Sequence, residues 1–116
     1  MTIYGAGNNA RDYFDARDLA RLMVSLAVGD IVADGVFNIG SGRGMTEADV
    51  VDAVREVLGL DVGVDHQPTR PFDLPYSVLD ISLAKKKLGW EPTFQFQDTV
   101  RDLAEHVRTD LLQSAS

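Results

Sequence analysis

The residues able to do chemistry in this sequence are two glycine-rich stretches and a thin set of arginines, tyrosines and histidines. Gly5-Ala6-Gly7-Asn8-Asn9-Ala10 formally matches G-x-G-x-x-G/A. In that pattern the glycines let the backbone approach a pyrophosphate, which rests on the N-terminus of the following helix. The context here is poor. At most four residues of strand precede it, and Asp30, about twenty residues on, falls at a helix end. A tight turn is the plainer reading of a lone match. Gly40-Ser41-Gly42-Arg43-Gly44 could cradle a phosphate with Arg43 assisting. It lacks the Lys-Ser/Thr ending of a triphosphate loop, and Thr46 is already needed as a helix cap, so a structural turn is favoured again. His66 and His106 lie 40 residues apart, which leaves no short histidine metal motif. The absence of cysteine removes disulfides, thiol catalysis and zinc–thiolate sites.

The elements that must position such residues follow from periodicity. Thr2-Ile3-Tyr4 is a short extended piece ended by the first glycine turn. Leu19, Leu22, Met23 and Leu26 place an apolar stripe on a helix from about Asp15 to Val28, closed by Gly29. Gly35 to Gly40 reads as a short buried strand. Thr46-Glu47-Ala48-Asp49 is a capping box opening a helix with Val50, Val54, Val57 and Leu58 on one face, stopped by Gly59. Leu60 to His66 alternates as a half-buried strand does. Gln67 to Pro75 carries three of the four prolines and reads as loop or edge. Two helices follow, Ile81 to Leu88 and about Gln97 to Leu112. The fold class is therefore α/β, with few short strands and about four helices. So thin a sheet cannot cover all the apolar faces, and some of that surface belongs against something outside the chain.

A length of 116 residues allows one modest core, read as a single domain over 1–116. The net charge of −7 argues against a nucleic-acid or anionic-membrane partner. No apolar run approaches the roughly 18 residues of a membrane span, and the start MTIYGAGNN lacks the basic and apolar regions of a signal peptide. The expected location is the cytoplasm.

Four blocks carry a family resemblance. Ile3-Tyr4-Gly5-x-Gly7 with Arg11-Asp12-Tyr13 and Asp18-Leu19 resembles the hYGdGxxxRDfhhVxDhh segment of extended short-chain dehydrogenase/reductases. Val36-Phe37-Asn38-Ile39-Gly40-Ser41-Gly42 resembles their hhNhGsG strand and turn, and Arg70-Pro71-x-Asp73 their RPGD loop. Leu79-Asp80-Ile81-Ser82-x-Ala84-Lys85-x-x-Leu88-Gly89-Trp90-x-Pro92 resembles their D-x-S-K-A-x-x-x-L-G-W-x-P signature. The blocks occur in the family's order over about residues 3 to 105. They are most similar to the NAD-dependent nucleotide-sugar epimerases and dehydratases, of the UDP-glucose 4-epimerase kind.

The resemblance covers the C-terminal, substrate-binding third of such an enzyme and leaves out the Rossmann part. It implies that Arg11 and Arg70 ligate a substrate diphosphate, that Asp73 receives ribose hydroxyls, and that Tyr4 lies by the nucleotide base. Guanidinium forks suit phosphate oxygens, and a carboxylate suits vicinal hydroxyls. The family's catalytic Tyr-x-x-x-Lys pair is not among these residues: Tyr4, Tyr13 and Tyr76 are followed four positions on by Asn8, Arg17 and Asp80. No catalytic residue is therefore assigned. NAD is implied for the full-length family and not for this chain alone, which is expected to be inactive by itself and to bind a nucleotide sugar weakly. Two partners beyond the sugar are expected, the missing Rossmann half or a second copy; in the second case the chain is a non-enzymatic interaction module. Three positions depart from the pattern: Ala6 replaces the Asp between the glycines, Asp15 the His or Tyr four places after Arg11, and Phe72 the Gly of RPGD. Phe72 is bulky where a flexible residue would let the loop close.

Overall fold

The computed structural model describes residues 1–115. Five very short strands and four helices follow one another as β1 (Thr2–Tyr4), β2 (Ala10–Asp12), α1 (Ala16–Ala27), β3 (Gly44–Thr46), α2 (Glu47–Leu58), β4 (Asp65–Gln67), β5 (Tyr76–Ser77), α3 (Ser82–Leu88) and α4 (Phe96–Ser114). This is the mixed α/β architecture expected. The strands form two small sheets. β1 pairs in parallel with β4, Ile3 opposite His66. β2 lies between antiparallel β3, with Arg11 opposite Met45, and parallel β5, with Arg11 opposite Ser77.

The helices form where local signals are complete. Thr46 Oγ1 accepts from Asp49 N at 3.1 Å and Asp49 Oδ2 accepts from Thr46 N at 2.8 Å, so the predicted capping box opens α2. The Thr46 backbone bond, helped by the hydroxyl, holds the Asp49 carboxyl below its ordinary range. Gly59 and Gly89 end α2 and α3 in the left-handed region, at φ 62° and 63°, where a side chain would be strained.

Burial is thin. Leu22 of α1, Ala84 and Leu88 of α3, and Trp90 form the main core, with Phe14, Leu26, Phe37, Ile39 and Ile81 packed against it. The Trp90 indole N–H donates to Gly40 O at 3.1 Å, and Phe14 meets the Trp90 ring edge-on. Ile3, Val51 and Ala53 are also buried, Ile3 and Val51 together lining a cavity between β1 and α2. The molecule is a slab of 45 × 44 × 22 Å with a Cα radius of gyration of 17.2 Å, against about 13 Å for a compact domain of this length. Its accessible surface is 8042 Å², where a compact monomer of this mass exposes about 6,200 Å².

Two expectations are corrected by the pairing. Residues 35–40 form no strand, and Val36 is 90% exposed. An apolar extended segment becomes a strand only by backbone pairing, and none of the described strands pairs with it. The strand expected from Leu60 to His66 shrinks to β4, the stretch that finds β1. In α4, Leu103, Val107 and Leu111 share a face as their spacing requires, and all three are exposed, apolar surface that this thin fold leaves uncovered.

Candidate functional site

Tyr4, Arg70 and Asp73 meet at the end of β1. Tyr4 is the last residue of that strand, opposite Gln67. The chain then turns at Gly5, whose φ is 79° and whose N–H donates to Gln67 O at 2.8 Å. A Cβ on Gly5 would stand 3.0 Å from Thr69 Oγ1, so a glycine there lets the 67–75 loop lie across the turn. That loop closes on itself. Asp73 N donates to Arg70 O at 3.2 Å, and Arg70 grips Asp73 with Nε and Nη2 at 2.8 and 2.9 Å. The Asp73 pair raises the Arg70 pKa, with smaller contributions from Tyr4 and Glu47. The guanidinium lies over the Tyr4 ring at 4.1 Å and 5.4 Å from that of Phe72. Phe72 lies outside this fork, its ring 74% exposed.

Arg11 reaches the same loop from β2. Its Nη1 donates to Leu74 O at 2.7 Å and to Ala10 O at 2.9 Å. Among the described residues, Arg11 Nε and Nη2 and Arg70 Nη1 make no hydrogen bond. Each arginine therefore spends one edge on the loop and keeps another free.

The two glycine turns have structural explanations. Gly5 to Asn9 leads into β2 rather than into a helix, so the helix that the pattern requires next in sequence is missing, and the first turn of α2, which does reach the loop, already spends Ala48 N on Gly7 O at 3.1 Å. The Ser41, Gly42 and Arg43 amides of the second turn are already occupied, Arg43 N by Ser41 Oγ at 3.1 Å. Asp12 Oδ1 accepts from Ser41 N and Oγ at 2.7 and 2.5 Å, and Oδ2 from Gly42 N and Leu79 N at 3.1 and 3.2 Å. Burial opposes the charge of Asp12, but these bonds outweigh it and leave the carboxyl below its ordinary range.

Asp12 begins a series that residue-type reasoning did not single out as structural. Asp15 caps α1 through Arg17 N at 2.8 Å, is forked by the Arg17 guanidinium, and accepts from Thr99 Oγ1 at 2.6 Å. The Arg17 fork holds its carboxyl far below the usual range. Arg17 also pairs with Asp102 and stacks over Phe94 at 3.9 Å. Asp18, wholly buried, accepts from Thr93 N, Thr93 Oγ1 and Phe94 N at 3.0, 2.7 and 3.1 Å and pairs with Arg21. The acidic interval of three was the available signal; the donors lie far away in sequence. A cavity of about 220 Å³ between β1, β4 and α2 is lined by Ile3, Val51, Val64 and His66 among others, and by none of Tyr4, Arg11, Arg70 or Asp73. No group of three or more metal-ligating side chains occurs among the described residues.

Residues 1–103 match the family model described as GDP-mannose 4,6 dehydratase. The UDP-glucose 4-epimerase of Caenorhabditis elegans is 34% identical over 114 residues, 89% of this chain and 32% of the relative. UDP-glucuronic acid decarboxylase 1 of Arabidopsis thaliana is 30% identical over 97% of this chain and 25% of its own length. Among solved structures, the UDP-glucose 4-epimerase of Thermotoga maritima with UDP-glucose superposes with a TM-score of 0.83 at 34% identity, covering 95% of this chain and 35% of that one. The chain thus spans about a third or less of the relatives it matches. The four sequence blocks, the superposition and the family match agree, and the chain belongs to the GDP-mannose 4,6 dehydratase family of NAD-dependent epimerases and dehydratases.

Proposed function

We propose that this chain is the nucleotide-sugar-binding portion of an extended short-chain dehydrogenase, with Arg11 and Arg70 on the diphosphate, Asp73 on the ribose and Tyr4 by the base. The observation that carries this reading is the shared loop: both arginines hold residues 70–74 by one edge and keep another free for an anion. The bidentate and point contacts of guanidinium groups suit the two phosphates, and a free local edge matters more than the global charge of −7. Asp73 is held in place by Arg70 and retains acceptor capacity for hydroxyls. Turnover requires the tyrosine–lysine pair and a dinucleotide, so the chain by itself binds and does not react. NAD would be held by a separate Rossmann portion, and a cytoplasmic location suits that assembly. Isothermal titration with UDP-glucose and a dTDP-sugar tests the reading. Binding in the weak range, abolished in Arg11→Ala and Arg70→Ala, supports it; no heat at millimolar ligand from the folded chain removes it.

A second reading has its own observation. Met23, Val24, Val28, Val32 and Val36 are all more than half exposed, on α1 and the unpaired segment after it. An apolar face of this kind belongs to an interface, and a non-enzymatic module would use it to pair with another copy. Light scattering that gives a clean monomer at high concentration refutes that alternative.

A further inference from the structure

Asp34-Gly35 lies between α1 and β3, on a stretch that belongs to no helix or strand. Residues 32–36 are all exposed, up to 90% at Val36. Among the described residues the Asp34 carboxylate makes no hydrogen bond or ion pair, and the Gly35 N–H meets no acceptor. Gly35 sits at φ 116°, and a Cβ built on it would meet nothing within 4 Å, so no other part of the chain crowds it. No other aspartate in the sequence precedes a glycine, and none of Asn8, Asn9 and Asn38 does. The contrast within the same stretch is Asp30. The amide that follows it, Ile31 N, is engaged with Ser25 O at 3.2 Å, and Ile31 is branched and packed against the core. The carboxylates of Asp12, Asp15 and Asp18 are held by several donors each. Asp34 alone combines a free carboxyl group, a free neighbouring amide and a neighbour without a side chain.

We infer that Asp34-Gly35 is a site of backbone isomerisation in the folded chain, and that its product is the substrate of a protein carboxyl methyltransferase. The Gly35 nitrogen attacks Asp34 Cγ, and the new C–N bond closes a succinimide. The amide proton and the carboxyl hydroxyl leave together as water. Water then opens the ring at either carbonyl. Opening at the former main-chain carbonyl leaves the backbone running through Cβ and Cγ, an isoaspartyl link with a free α-carboxylate. S-adenosylmethionine gives its methyl group to that carboxylate in the enzyme-catalysed step and leaves as S-adenosylhomocysteine. The ester closes back to the succinimide with loss of methanol. Nothing is oxidised or reduced, and water and the methyl donor are the only co-reactants. The isoaspartyl link adds a methylene to the backbone just ahead of Phe37 and Ile39, which pack against the core. The inference is independent of the nucleotide-sugar reading.

The test is ageing of the 116-residue chain at body temperature in mildly acidic buffer, native and in urea. An endoproteinase that cuts before aspartate, followed by mass spectrometry, reads each site, because an isoaspartyl link resists the cut without changing the mass. Enzymatic methylation with labelled S-adenosylmethionine measures the same product. A segment held by no hydrogen bond opens at almost no cost, so the native chain should lose the cut at Asp34 at a rate within about five-fold of that in urea. Asp30 keeps its cut in the native chain. Asp34→Glu removes the methyl label, because the larger ring that glutamate needs forms far more slowly, and leaves the melting temperature unchanged. A native rate more than about five-fold below the unfolded rate overturns the inference, since the fold then holds the pair out of reach. Label that persists in Asp34→Glu overturns it too, by placing the reaction at another aspartate.

Discussion

Asp18 should be the most costly carboxylate to remove. Its carboxylate is fully buried, and three donors on the segment leading into α4 converge on it at 2.7 to 3.1 Å. Asp18→Ala removes the acceptor of all three. Hydrogen bonds to a charged group contribute about 1.5–3 kcal/mol each, but Thr93 and Phe94 reach solvent and recover part of that, so about 1 kcal/mol apiece is retained. The Arg21 pair adds little, since its guanidinium is about half exposed. The sum is about 3 kcal/mol. With a urea dependence of about 1.5 kcal/mol per molar, the unfolding midpoint falls by about 2 M. Asp18→Asn keeps one carbonyl oxygen for the two backbone donors and lets its amide donate to the Thr93 hydroxyl, so its midpoint falls by less than about 1 M. Urea titration followed by circular dichroism reads both. A midpoint for Asp18→Ala no lower than that of Asp34→Ala, an exposed carboxylate, would refute the reasoning.

Acid should unfold the chain through the same group of residues. Asp12 and Asp15 both have native pKa values below their ordinary range, so the unfolded chain binds protons more readily; their contribution is complete above that range and disappears as pH falls through the native values. Urea midpoints should therefore decline below about pH 5, with a shallower decline in Asp15→Asn, and a flat profile from pH 6 to 3 contradicts this. Gly40→Ala places a Cβ 2.7 Å from Asp12 Oδ2 and should cost about 1–3 kcal/mol, whereas Gly63→Ala meets nothing within 4 Å and should be neutral or slightly stabilising. Thermal melts that rank the two glycine variants the other way refute the close contact. Phe72→Gly should leave stability unchanged, because the ring is outside the Arg70–Asp73 fork, and a melting temperature lowered by more than a few degrees would show otherwise.

The parts of this fold that could be read in the sequence are those whose cause is local. The capping box at Thr46 and Asp49, the left-handed stops at Gly59 and Gly89, and the four helices all depend on neighbours within a turn. β2, β3 and β5 were illegible for the opposite reason. Arg11 becomes a strand residue because Met45 and Ser77 come beside it, and nothing in Ala10-Arg11-Asp12 itself announces pairing. The same dependence misled at Val36, where an apolar pattern met no neighbouring strand. Tyr4, Arg70 and Asp73 were legible as a group through the family's motifs, and the structure brings them together. Asp15 stood out as a departure from the family pattern, and its work as a cap and hook needed Thr99 to be seen.

The aspartates at intervals of three also have a bearing on how the chain finds its fold. Leaving aside the local partners Arg17 and Arg21, their donors lie between 29 and 84 residues further along. Each such bond closes a long loop, and the entropy of closing it is lost before the contact returns anything. The helices can form early, within a turn or two of their own sequence, while these tethers form late. Refolding should accordingly be slower than a chain this rich in helix would otherwise allow. Weakening the Asp18 tether should hasten unfolding and leave the folding rate nearly unchanged, the mark of a contact absent from the transition state.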